Sequence, residues 1–401
     1  MRTPSRTGWR YLAASAAGNH LSLAQQRARE LRAVTTRTVR ADEIDVPGSW
    51  FRVTEPSRRV RLTVPEHLDA ADRRALRRRD ASSVPEQFVL ALPGATLQGR
   101  EGWVFHEGRL VDGIWQEKGW PARSMVPALQ LDPPVHLPGT TVSLLQPWSP
   151  NYYHWTTQVV PRVLRLLEVV GDAVDAVDHW MIPGDAPSYV GQWLDLLGIP
   201  AERRRPVDTR RQVFTLERLL VASVPGRNRW VPGSTVEGIR AAVAHLPSGP
   251  TGRRVLIQRS ADRRRLLLNA DEVEAALRGR GFEVVDPGTM TVAEEAVFFR
   301  GVDVVVGVHG AGLTNMVFAR PGATVVELTP RGLVFPTFVK LAAAAGIRHR
   351  MVPGVEPRLP WPLRFPDIRA DLLVDVAEVL DVVDRIPAVP GTAVPDTAPA
   401  G

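Results

Sequence analysis

The sequence predicts an α/β protein in which a parallel sheet is covered by helices on both faces. Three observations carry this. From Arg254 through Ala345, short apolar runs alternate with segments of helical periodicity, strand then helix. The run Val302–Gly307 (VDVVVG) is almost continuously apolar, as a strand buried on both faces must be. The chain is 401 residues long, more than one ordinary hydrophobic core organises and suited to two domains.

Residues 1–84 read as a basic, partly helical extension, with a helix at about Leu23–Val34 and a basic run at Asp72–Asp80. That run reads as a solvated helix face; it has no interleaved aromatic residues, so nucleic acid is not an expected partner. Residues 85–246 form a first domain. It opens with a β-rich stretch, Gln87–Gly113, whose apolar runs are separated by Pro-Gly, Gly-Arg-Glu-Gly and Glu-Gly turns. A strand follows at Thr140–Leu145, then a helix at Tyr153–Val170 in which Pro161 predicts a kink or break. Further on come a strand at His179–Ile182, a helix at Tyr189–Leu197 stopped by Gly198, two short strands within Val213–Val221 and a helix at Val236–His245.

The stretch Leu246–Gly252 (LPSGPTG) is the clearest linker. Residues 253–352 form the second domain, with strands at Arg254–Gln258, Phe282–Asp286, Val302–Gly307 and Thr324–Leu328. Its helices begin on two capping boxes, Asn269 with Glu272 and Thr291 with Glu294, and Gly281 stops the first. A helix at Val339–Ala345 completes it. Residues 353–386 make a return segment with a helix at Asp371–Val383, and the Pro/Ala/Thr-rich 387–401 reads as a disordered tail.

Hydrophobic content of 44% and charged content of 23% are globular values. The absence of cysteine excludes disulfides, thiolate metal sites and a cysteine nucleophile, and fits a reducing, cytoplasmic setting. The net charge of +7 is almost wholly arginine, since Lys118 and Lys340 are the only lysines. Such a balance follows genomic base composition as readily as function, and also suits anionic partners: nucleotide diphosphates, acidic glycans or a membrane surface. No window of about 18 apolar residues occurs, so the sequence predicts no spanning helix and at most peripheral contact with the inner face of a membrane.

Chemistry concentrates at His309-Gly310-Ala311-Gly312-Leu313-Thr314-Asn315, directly after the buried strand. Open α/β sheets bind ligands beyond the carboxyl ends of their strands. Small residues there let the backbone approach a ligand, and the amides at the next helix start suit a phosphate. His309, Thr314 and Asn315 add side-chain donors, and Glu327, ending the next strand, suits ribose hydroxyls. A plain turn using glycine for positive φ is the alternative. Neither the Gly-x-Gly-x-x-Gly dinucleotide fingerprint nor the Gly-Lys-Ser/Thr phosphate loop is present.

The segment VDVVVGVHGAGLTNMVFARPGATVVEL resembles the signature of glycosyltransferase family 61. Two further blocks strengthen the resemblance: Asn151-Tyr152-Tyr153-His154-Trp155 followed by Pro161-Arg162, and a strand ending in Arg259 followed by Arg265 and Asn269. It covers about Gln87 to Met351. It implies the GT-B architecture, two Rossmann-like domains facing a cleft, with 85–246 as the acceptor domain and 253–352 as the donor domain. It also implies inverting transfer of a sugar from a nucleotide-sugar to a hydroxyl acceptor, in polysaccharide or glycoconjugate synthesis. Arg259, Arg265, Asn269 and the 309–315 turn would then bind the donor.

Arg259 at a strand end can grip two phosphate oxygens. His154, at a helix start among aromatics, is the candidate general base, with a structural, helix-capping histidine as the alternative. Many relatives of this kind carry Asp or Glu four residues after that histidine, on the same helix face; here the position is Gln158, which cannot be a base. A transferase-like scaffold that binds an anionic glycan or nucleotide without turnover is therefore the alternative reading. With no Asp-x-Asp and no His/Asp/Glu spacing for a metal, neither metal nor cofactor is expected.

Overall fold

The computed structural model describes residues 38–61, 70–78, 82–114, 131–208, 211–226, 230–258, 265–331, 335–356 and 371–387. The helix expected at Leu23–Val34, Arg259 and the tail beyond 387 lie outside these residues. Residues 72–78 of the basic run fall on a helix at Ala70–Arg78, and its last two residues lie outside the described ones.

The N-terminal half is built on one mixed sheet of ten strands: β1 (Thr38–Arg40), β2 (Trp50–Glu55), β5 (Gln87–Pro93), β6 (Thr96–Gln98), β7 (Trp103–His106), β8 (Arg109–Asp112), β9 (Val135–Ser143), β10 (Val177–Pro183), β11 (Arg204–Val207) and β12 (Val213–Ala222). A separate pair joins β3 (Arg58–Val60) to β4 (Ser82–Val84). The expected β-rich stretch is the antiparallel run β5 to β8. Strands β12, β9, β10 and β11 lie side by side and parallel, and β1 also pairs parallel with β8, so this half is a mixed sheet and departs from the simple parallel pattern expected. The two strands read within Val213–Val221 are one. The exposed pair Glu217-Arg218 marks a register shift against β9, where the Glu217 carboxylate accepts from Gly139 N at 2.7 Å.

The C-terminal half is fully parallel: β13 (Arg253–Ile257), β14 (Phe282–Val285), β15 (Val302–Val308), β16 (Thr324–Pro330) and β17 (Arg348–Gly354), in the order β14-β13-β15-β16-β17. Its strand order reverses between β13 and β15, the switch point where open sheets part their loops and admit ligands. Thr291 and Glu294 form the expected capping box on the helix Val292–Arg300. Asn269 does not cap its helix; its amide pairs with the Val374 backbone, donating to O at 2.9 Å and accepting from N at 3.3 Å. That helix ends at Arg278, and Gly281 instead supplies the positive φ of the turn into β14.

Leu246–Gly252 has no helix or strand, as expected of a connection. The halves are nonetheless packed together: one hydrophobic cluster runs from Val89 to Ile347, with Trp193 stacked on Phe318 at 6.1 Å. Arg240 donates to the carbonyls of Val317 and Ala345, adding polar ties across that contact. No helix among the described residues is long and apolar enough to cross a membrane.

Candidate functional site

The expected Gly-rich turn lies at the switch point. His309 N donates to Leu328 O at 2.8 Å, prolonging the β15–β16 ladder by one step before the chain turns. Gly310 is extended (φ 161°), so it is not held there by a left-handed backbone. Gly312 has a closer constraint: a Cβ on it would come within 3.2 Å of Ile257 Cγ2, so its small size lets the turn sit against the end of β13. The short helix that follows is a 3₁₀ helix, Ala311–Val317. Ala311 and Gly312 are half-buried, while Thr314 and Asn315 are fully buried and face the interior.

Behind the turn stands a buried trio. Glu327, on β16 between β15 and β17, gives one carboxylate oxygen to His309 Nδ1 and the other to His349 Nε2 of β17, at 2.8 Å. A carboxylate only accepts, so each of those ring nitrogens carries its hydrogen, which fixes both tautomers. Burial pushes the Glu327 carboxyl up, but the two histidines outweigh it and hold it down at about 2. Sequence reasoning gave Glu327 to a ribose. The structure corrects this: the side chain is wholly buried and both oxygens are taken, so it orients His309 instead. Arg265 reaches the same turn from the other side, its Nη1 donating to His309 O at 2.8 Å from a left-handed backbone (φ 66°). Asn269 lies away from this contact, on Val374. Among the described residues no group of three or more His, Asp or Glu is placed to hold a metal ion.

A second trio joins the halves. Tyr152 Oη lies 2.6 Å from Glu295 Oε2 and 2.6 Å from Asn315 Oδ1, and Asn315 Nδ2 donates to Glu295 Oε1 at 2.9 Å. Three contacts need three hydrogens. The tyrosine supplies one and the amide serves one contact in either orientation, so the third belongs to Glu295. All three bonds are made only when the carboxyl is protonated. The electrostatics agree: burial raises it to about 7, against lowering hydrogen bonds from Tyr152 and Asn315.

His154 sits on the N-terminal half, where the helix Tyr152–His154 widens into a π turn, Trp155–Val159, before continuing as Val160–Val170. Asn151 caps the start, its side chain accepting from Tyr153 N at 3.0 Å and His154 N at 3.4 Å. Pro161 explains the π turn. It has no N–H to offer the preceding turn and its ring crowds the carbonyl four residues back, so the helix widens and Val160 N bonds Trp155 O. The helix runs on rather than breaking.

The His154 tautomer follows from a chain of one-way donors. Arg162, fully buried, donates to Ala222 O at 2.8 Å, Ser143 O at 2.7 Å and Gln146 Oε1 at 3.4 Å. Burial, with the Arg165 charge adding, lowers its pKa to about 9. Since a guanidinium only donates, Gln146 is oriented with Oε1 toward it, and Gln146 Nε2 donates to Gln158 Oε1 at 2.8 Å. Gln158 Oε1 therefore accepts again from His154 Nδ1, also at 2.8 Å. Nδ1 carries the hydrogen, and Nε2 is the ring's proton-accepting nitrogen.

A row of rings links His154 to His309. His154 lies 5.3 Å from Tyr153, Tyr153 lies 5.9 Å from Phe338, and Phe338 lies 5.0 Å from His309. The structure thus brings the 151–155 block, Arg265 and the 309–315 turn to one region. Sequence reasoning missed Glu295, His349, Gln146 and Phe338. Nothing in their local pattern marks them; Glu295 reads only as a first-turn acid of an amphipathic helix, and His349 as one residue among arginines.

The family model described as Glycosyltransferase 61 matches residues 152–326. A beta-1,2-xylosyltransferase of Oryza sativa subsp. japonica is 38% identical over 204 residues, 49% of this chain and 32% of that protein. An alpha-1,3-arabinosyltransferase of the same organism is 37% identical over 108 residues, 26% of this chain and 19% of that protein. Another beta-1,2-xylosyltransferase from it is 40% identical over 82 residues, 20% of this chain and 17% of that protein. The chain spans about a third or less of the length of these relatives.

Proposed function

We propose, from the premise that residues 152–326 form a glycosyltransferase 61 domain, that this protein transfers a pentose from a nucleotide-sugar to a hydroxyl of a glycan acceptor, with inversion. The relatives named as arabinosyl- and xylosyltransferases support the sugar class. In this reading the two α/β halves are the acceptor and donor lobes of a GT-B arrangement. His154 Nε2 takes the proton of the acceptor hydroxyl as its oxygen attacks the anomeric carbon, and the bond to the nucleoside diphosphate breaks.

The single observation that carries the reading is the orientation of His154: Gln158 accepts from its Nδ1–H at 2.8 Å, which makes Nε2 the ring nitrogen able to take a proton. An amide here orients the ring as a carboxylate would, without adding a charge. That favours the transferase reading over the scaffold alternative, whose support was the missing carboxylate. On the donor side, Arg259, Arg265 and the amides of Gly310, Ala311 and Gly312 would meet the diphosphate and stabilise the charge that develops on it, with no metal required.

A thermal-shift screen of the purified protein against nucleotide-linked pentoses and hexoses tests the proposal. Stabilisation by at least one pentose donor is expected. A folded protein that none of them stabilises would remove it.

A further inference from the structure

Trp148 is out of place by two measures. It is 51% exposed, and among the described residues it is the one tryptophan or phenylalanine left so open. Its backbone is left-handed (φ 63°), a conformation that costs a bulky residue free energy and that glycine adopts without strain. The turn enforces this conformation. Ser149 N donates to Gln146 O at 3.2 Å and Asn151 N donates to Trp148 O at 2.8 Å, while Gln146 and Ser149 are buried on either side. The indole is therefore held outward by its neighbours and is not a loosely packed core residue. It also stands beside the proposed base: the Trp148 and His154 rings lie 5.2 Å apart, tilted by 45°.

An exposed indole offers a flat apolar face with a polar edge. The C–H face of a sugar ring fits such a surface and leaves the sugar hydroxyls free at its rim. We propose that Trp148 is a stacking platform for a neutral sugar ring of the acceptor, seating one of its hydroxyls at His154 Nε2; this rests on the reading of His154 as the base. The acceptor is favoured over the donor because Trp148 belongs to the turn that feeds the His154 helix. The Gly-rich turn lies beyond the Tyr153 and Phe338 rings, on the other sheet. Gln146 serves both features: its side chain begins the amide relay to His154, and its carbonyl fixes the turn that displays Trp148.

Two measurements test the platform. In the first, transfer from a nucleotide-pentose to xylotetraose is compared in wild type, Trp148→Ala, Trp148→Phe and Trp148→Gly. The acceptor KM rises about tenfold in the alanine and glycine variants, the donor KM does not rise with it, and phenylalanine restores most of the affinity. Trp148→Gly also melts no lower than wild type, because glycine relieves the backbone, so a loss of affinity in it is not a loss of fold. An unchanged acceptor KM, or a donor KM that rises instead, overturns the proposal.

In the second, the protein is labelled with 5-fluorotryptophan and titrated with xylotetraose, arabinotetraose and cellotetraose. The Trp148 resonance, assigned by its absence in Trp148→Phe, moves with at least one saccharide. If it moves while no nucleotide-sugar is turned over, the platform stands and the transferase reading falls. If it moves with none of the three, the platform is wrong whatever the activity.

Discussion

His349 Nε2 lies 2.8 Å from Glu327 Oε2, and the carboxylate is shared with His309 on the strand opposite. A charge wholly buried within a parallel sheet is tolerated only because both oxygens are bonded. Glu327→Ala strands two buried imidazoles and should cost about 3–5 kcal/mol in urea unfolding. The pH dependence has a definite sign. The folded pKa, about 2, lies below the ordinary carboxylate value, so the stabilisation is present above pH ~4.5 and is lost as pH falls toward 2. Glu327→Gln should flatten that acid limb. An acid limb as steep as in wild type would assign acid sensitivity to other carboxyls.

Glu295 pulls the other way. Its folded pKa, about 7, lies above the ordinary value, so its stabilisation is complete below pH ~4.5 and is lost as pH rises through 7. The amount is on the order of 3 kcal/mol. In Glu295→Gln the amide supplies the third hydrogen at every pH, so this variant should be at least as stable as wild type at pH 8 and lose the decline between pH 5 and 8. Chemical unfolding at the two pH values decides it. A wild-type decline that survives unchanged in the variant would contradict the proton count at Tyr152, Glu295 and Asn315.

The relay beneath His154 makes a kinetic prediction. Gln158→Leu leaves the Nδ1–H without its acceptor and frees the ring to adopt the wrong tautomer, so kcat should fall about tenfold or more with little change in donor KM. Gln158→Glu adds a charge beside the ring and should carry the acid limb of the pH–rate profile, where the base becomes protonated, up by about one unit. Profiles of kcat against pH for the two variants check both. An unmoved limb in Gln158→Glu would argue that His154 is not the titrating base.

Much of the C-terminal half was legible in the sequence because its strands are buried on both faces and read as apolar runs, Val302–Gly307 above all. The Thr291–Glu294 box was legible because both of its bonds are local. Asn269 misled for the converse reason: the cap pattern is local, but Val374, 105 positions away, holds its amide. The N-terminal half was harder. A ten-stranded sheet that mixes parallel and antiparallel pairs leaves no single periodicity, and the register shift at Glu217 interrupts the apolar run of β12. At the site, His154, His309 and the small residues of the turn stood out as residue types. What each one does depended on partners brought from far along the chain: Gln146 and Arg162 for His154, and His349 for Glu327.

The most direct measurement is the mass and anomeric configuration of the product formed from a nucleotide-pentose and an oligosaccharide acceptor by purified wild-type protein and by His154→Ala. The expected result is an acceptor heavier by one anhydropentose with inverted configuration in the wild type, and a rate lower by about a hundredfold or more in the variant. Transfer with retained configuration, or transfer that His154→Ala supports at the wild-type rate, would contradict His154 as the base of an inverting glycosyl transfer.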